Sequence, residues 1–288
     1  MTLTQQVNAA LAELSADIKD NKLNLLTPPD LLLEVRAFAA NRNCSVEDFS
    51  NLVKRDPNIS GRLVKVANSV LLGTRIHVAS VKAAISRLGS TRVQNLVTSL
   101  VITQNFQKSK IHGLENYFNQ AWQQSNNVAA ISYALAITNT KLDPEQALLA
   151  GMVHNIGVLP IILRLNQISS LKQDTKLLIH VAGIVVPKLY PTAGKLILNN
   201  WNFSPTICQV AITHTNYSPS SDEITLDDIV FLAYELNKLS DLTDISTFPD
   251  SLLCSHAFQK IWPEEDTLVQ NISELIDKID EIKSGISN

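Results

Sequence analysis

Glycine is scarce in this chain, nine residues in 288, and strict alternation of apolar and polar residues is rare, which argues against a sheet-rich architecture. Cysteine is nearly absent too. Cys44, Cys208 and Cys254 are odd in number, far apart and in no CxxC spacing, which excludes a disulfide framework and a thiolate metal site; they read as small buried hydrophobes. Neither sign of charge dominates: 24 basic and 27 acidic residues leave a net charge of −3. The densest basic stretch, SRLGSTRVQNLV, holds only Arg87 and Arg92, so no surface for nucleic acid is expected. No Gly-rich phosphate loop, GxSxG or HExxH is present. No unbroken apolar run approaches the roughly 18 residues of a membrane span, and MTLTQQVNAALAELSADIKD has no signal-peptide pattern. The expectation is a cytoplasmic protein that does not engage membranes.

What is present is apolar, 45% of residues against 18% charged, enough for a sizeable core. Apolar positions recur three and four apart, the period of helices. Their starts are marked. Asp56-Pro57 and Asp143-Pro144 each set an N-capping carboxylate before a proline at the first helical position, where a missing N–H costs nothing. Ser204-Pro205 repeats the device with a hydroxyl, and Ser45 with Asp48 forms a capping-box pattern. Leu63, Val66, Ala67 and Val70 then make one apolar stripe that ends at Gly73, and Asn68 beside it is expected to bury its amide between two backbone segments. The polar break NYSPSSDE separates a long helical body from a C-terminal segment. That segment closes with Ile272, Leu275, Ile276, Ile279 and Ile282 on one face, too few heptads for a coiled coil and read as a helix docked on its own domain.

Two histidines stand out by position. His154 in GMVHNIGVLP follows Ala147, Ala150 and Gly151 at helical spacing, a stripe of small residues where another helix can approach closely. His214 follows Ile207, Val210 and Ala211 on an apolar face. Both should point inward and so could meet. His77, His112, His180 and His256 join no constellation, and Trp122 and Trp201 read as core aromatics.

In order, PDLLLEVRAFA, SVEDFSNLVKRDPNISGRLVKVANSVLLGTR, SVKAAISRLGSTRVQNLV, AGMVHNIGVL and AGKLILNNWNFSPTICQVAITHT resemble the signature segments of the HDOD family, from about residue 20 to about 215. The resemblance implies an all-α, HDOD-type helical fold related to the HD-domain metal phosphohydrolases. Residues 1–19 read as an N-terminal amphipathic helix ahead of the matched segments, and the resemblance implies an HDOD domain at 20–215, itself an N-terminal bundle at 20–110 and an HD-like subdomain at 111–215. A helical extension at 216–288 should pack on the HD-like part.

It also locates a degenerate metal site. Where an HD hydrolase has its ligands this chain has Gln124, His154, Asn155, Tyr190, His214, Thr215 and, by a looser alignment, Tyr234. Two imidazoles remain and no carboxylate does. A hydrolytic centre needs anionic ligands to offset the cation's charge, and a neutral amide or a protonated phenol does not supply them. No metal, cofactor or catalytic residue is therefore expected. The implied role is that of a non-catalytic bacterial regulatory module acting on other signalling proteins, with homodimerisation left open. The alternatives are a residual phosphohydrolase or cyclic-dinucleotide phosphodiesterase, against which the absence of a glycine-tyrosine-proline segment after His214 counts, and a nucleotide pocket without turnover.

Overall fold

The computed structural model describes residues 2–20, 29–40, 45–68, 78–107, 113–219 and 221–286; Cys44, His77, His112, Val70 and Gly73 lie outside them. Among the described residues every regular element is helical, with no strand. The first six helices are α1 (Leu3–Lys19), α2 (Asp30–Ala40), α3 (Val46–Val53), α4 (Pro57–Ala67), α5 (Val81–Leu88) and α6 (Ser90–Gln107). Next come α7 (Glu115–Asn139), α8 (Pro144–Val153), α9 (Val158–Leu165), α10 (Ser169–Lys172), α11 (Thr175–Asn200) and α12 (Pro205–Thr213). The last four are α13 (Leu226–Leu236), α14 (Asp250–Leu253), α15 (His256–Ile261) and α16 (Leu268–Ile286).

The chain forms two compact units, one of Met1–Thr27, Ser109–Ser125 and Val153–Tyr217, the other of Pro28–Lys108, Asn126–Met152 and Ser218–Asn288. In the first, α11 is the central helix, with α1, α9, α10 and α12 packed on it. It runs on through Pro187 and Pro191, each of which removes one backbone donor from the ladder. α1 buries Val7, Ala10, Leu14 and Ile18. Its other face is tied to α9 by Arg164, whose guanidinium donates to Asp17 at 2.7 Å and to Glu13 at 2.5 Å, the two-pronged recognition that suits a planar fork.

In the second unit α2 packs on α3 and α6, and α4 on α5, α6 and α16. The expected caps are in place. Asp56 accepts from the amides of Asn58 and Ile59, Asp143 from that of Gln146, and Ser45 with Asp48 completes a reciprocal box. In the first unit the Ser204 hydroxyl accepts from Ile207. Asn68 bridges two segments as expected: its amide donates to the Val78 carbonyl and accepts from the Val78 N–H, both at 2.7 Å. It does so half-buried rather than enclosed. α16 buries Ile272, Leu275, Ile279 and Ile282 in this unit, with Ile276 at the margin. A buried ion pair joins α13 to α15, Lys260 Nζ to Asp228 at 3.1 Å.

Two expectations are revised. Cys208 is buried but Cys254 is exposed, because it caps the short helix α14 and not a core stripe. Trp201 is buried while Trp122 is only half-buried. Among the described residues, two stretches, Pro144–Leu165 and Thr175–Asn200, are long and apolar enough by length and composition to cross a membrane. A search for unbroken apolar runs passes over them because isolated polar residues, His154 and Asn155 among them, interrupt each. The first is 89% buried inside the fold, as a core helix pair is.

Candidate functional site

α8 ends at Val153, and His154 to Gly157 form a tight turn leading straight into α9. The small-residue stripe sets how closely this region is approached. A Cβ on Gly151 would stand 2.7 Å from Cα of Ala129 on α7, so only glycine fits there. Gly157 is also needed for space and not for backbone freedom: its φ is −70°, in the ordinary helical range. A Cβ there would run into the carbonyl oxygen of Tyr190 and come within 2.5 Å of the Gly194 amide nitrogen. The turn is therefore pressed against the backbone of α11 where that helix carries Tyr190.

His154 and His214 do meet. Both are fully buried, with ring centroids 4.9 Å apart and planes at 80°, an edge-to-face arrangement. His214 caps the end of α12. Its Nδ1 lies 2.9 Å from the Val210 carbonyl oxygen, an atom that can only accept, so the ring proton sits on Nδ1. The lone pair then belongs to Nε2, and the Tyr190 hydroxyl, 2.7 Å away, donates to it.

Asn155 is equally engaged. Its Oδ1 accepts from the Ser125 hydroxyl at 2.7 Å, and its Nδ2 donates to the Ala121 carbonyl at 2.8 Å. Both partners lie on α7. An aspartate here would turn a second oxygen towards the Ala121 carbonyl, which a carboxylate cannot satisfy. The amide is thus the side chain that its surroundings require.

Of the other four positions named from the sequence, Thr215, Gln124 and Asn155 lie in the first unit and Tyr234 in the second. Thr215 is exposed, and its hydroxyl turns back to the Ile212 carbonyl. Gln124 is half-buried; the contact to Asn155 comes from the next residue, Ser125. Tyr234 is half-buried in the second unit, where Lys238 Nζ lies 4.2 Å over its ring. Asn155 itself faces α7, while Tyr190 and His154 face His214. Ser125 and Ala121 are the partners that sequence reasoning missed.

The donor set does not fit a divalent cation. It offers two imidazoles, one with its lone pair already accepting a hydrogen bond, a neutral amide bonded through both ends, and a phenol that is acting as a donor. Among the described residues no three His, Cys, Asp or Glu side chains are grouped so that they could hold a metal ion. Nothing there supplies the negative charge that holds a cation in a low-dielectric interior.

A second polar cluster was not anticipated. Glu145, in the first turn of α8, is 1% exposed. Burial, and then the neighbouring Asp143 carboxyl, push its carboxyl up to about 7, against the pull of Arg92. Arg92 Nε lies 3.5 Å from Glu145 Oε2 and is itself half-exposed. Tyr133 faces the same carboxyl, and its phenol is raised by burial and by Glu145.

The chain is similar to other proteins along most of its length. It is 22% identical, with a TM-score of 0.77, to a Shewanella amazonensis SB2B protein provisionally named a metal-dependent phosphohydrolase, over 98% of this chain and 99% of that one. It is 18% identical, with a TM-score of 0.66, to an HDOD domain protein of unknown function from Geobacter sulfurreducens, over 99% and 98%. Both likenesses concern the fold. A Treponema pallidum (strain Nichols) protein of uncharacterised role is 21% identical over 263 residues, 86% of this chain. The chain spans about half the length of that relative, 49%. The HDOD domain family model matches residues 25–217, two thirds of the chain and the same stretch that holds the two facing histidines, and the chain belongs to the HDOD domain family.

Proposed function

We propose that this chain is a non-catalytic regulatory module that acts by binding other proteins, and that its HD-type metal site has become a structural lock. One observation carries the reading: the hydrogen-bonding groups of Asn155, Tyr190 and His214 are spent on one another's neighbourhood within the protein. A hydrolytic centre keeps ligands poised for a cation and an open position for water. Here the same positions tie α7, α11, α12 and the turn before α9 together, which supports a fold kept for its surface and not for its cavity. A fold shared with a provisionally named phosphohydrolase does not bring activity with it, because function resides in the site.

The module's role then rests on helical faces. Affinity capture with the full chain as bait, followed by identification of what co-purifies and reconstitution with purified components, tests it. Direct, saturable binding of a signalling protein is the expected result. Metal-dependent phosphodiester hydrolysis that vanishes in H154A would overturn it.

A further inference from the structure

We infer that the Tyr190 hydroxyl occupies the place of a cation at His214, so that Tyr190, more than Asn155, is what closes this site to metal. The inference rests on the non-catalytic reading above and names what enforces it.

His214 has one nitrogen to offer a cation. Nδ1 is committed to Val210 on its own helix at 2.9 Å, which leaves Nε2, and the Tyr190 oxygen stands 2.7 Å from it. A metal–imidazole bond of about 2.1 Å along that same lone pair would put the ion in the space that the phenol oxygen fills. One of the two must leave.

Tyr190 has little room to leave. Its backbone carbonyl faces Gly157 so closely that a Cβ there has no space, and Gly194 on the next turn is pressed against the same residue. The ring is buried, 8% exposed. Asn155, by contrast, faces Ser125 and Ala121 on α7 and does not obstruct Nε2. Restoring a carboxylate at 155 therefore adds a charge without freeing the imidazole, whereas replacing the phenol frees it. Tyr190 acts as a positioning residue: it fixes the His214 ring and withholds its lone pair.

The test uses full-length wild type, N155D, Y190H and N155D/Y190H, titrated with Co2+ and followed by visible absorption and by melting temperature. Wild type and N155D should give no saturable signal. N155D/Y190H should bind one equivalent and melt about 5 °C higher when Co2+ is well above its dissociation constant, since a ligand of the folded state stabilises it. An N155D chain that binds as tightly as the double variant overturns the inference, and so does a folded double variant that binds none. If the double variant does not fold, 15N spectra of histidine-labelled wild type and Y190F decide. An unprotonated, hydrogen-bonded His214 Nε2 that responds to Y190F supports the inference, and a protonated Nε2 overturns it. Failure here leaves the non-catalytic reading standing, because only tight metal binding with turnover in the wild type contradicts that.

Discussion

Gly157 and Tyr190 meet backbone to backbone: the space where a Cβ on Gly157 would lie is taken by the carbonyl oxygen of Tyr190. This contact brings the turn after α8 against α11 and sets the hydroxyl of Tyr190 beside His214. Protein interiors have no slack for an extra methyl group at such a point, and overpacking typically costs about 1–3 kcal/mol. Because the obstacle is backbone and not a flexible side chain, G157A should cost about 3 kcal/mol or more. Urea denaturation of G157A checks this; an unchanged midpoint would show that α11 yields easily.

The amide of Asn68, at the end of α4, holds both backbone groups of Val78, ten residues on. N68L removes two hydrogen bonds and leaves the Val78 groups to find other partners, a loss of about 2 kcal/mol at about 1 kcal/mol per bond. The denaturation midpoint should fall accordingly, and N68D should recover less than half the loss because a carboxylate cannot donate to the Val78 carbonyl. Equal stability of N68L and wild type would refute the bridge.

Glu145 predicts a pH dependence. Its carboxyl is pushed up to about 7 in the folded chain, above the ordinary glutamate value of about 4.3 in the unfolded one. Between these values the folded state holds the extra proton. The associated stability is thus fully present below about pH 4 and is lost as pH rises through 7. E145Q, neutral throughout, should flatten the decline between pH 5 and pH 8. Midpoints measured across that range for both proteins test it, and parallel curves would show that Glu145 is ionised in both states.

Arg164 links α9 to α1 through Asp17 and Glu13. Glu13 is largely exposed, so its share is small, within about 1 kcal/mol; the Asp17 contact is better shielded. R164M should leave the core intact and lower amide-exchange protection in α1 more than elsewhere, by roughly tenfold. Uniform loss of protection across the unit would mean that Arg164 supports the whole unit and not this helix.

The helix starts were legible because capping is local: Asp56, Asp143, Ser204 and the Ser45–Asp48 pair each act within three residues of sequence. The inward course of His154 and His214 was legible for the same reason, since a helical stripe fixes a face. Their meeting needed the fold. Partners of Asn155 were not legible, because Ser125 and Ala121 lie about thirty residues away and no short-range rule relates them. Nothing in the local sequence marks Glu145, since an acid in the first turn is common at a helix N-terminus, and its burial shows only in the folded chain. At Gly157 what matters is the absence of a side chain, which only the approach of α11 makes visible.

The central claim is that the site has no hydrolytic chemistry left. Its most direct test is turnover of phosphomonoesters and cyclic dinucleotides by the full chain with Mn2+, Fe2+ or Zn2+ added, compared with H154A. The account predicts no hydrolysis above the metal-only control for either protein. Hydrolysis by wild type that disappears in a folded H154A would contradict it.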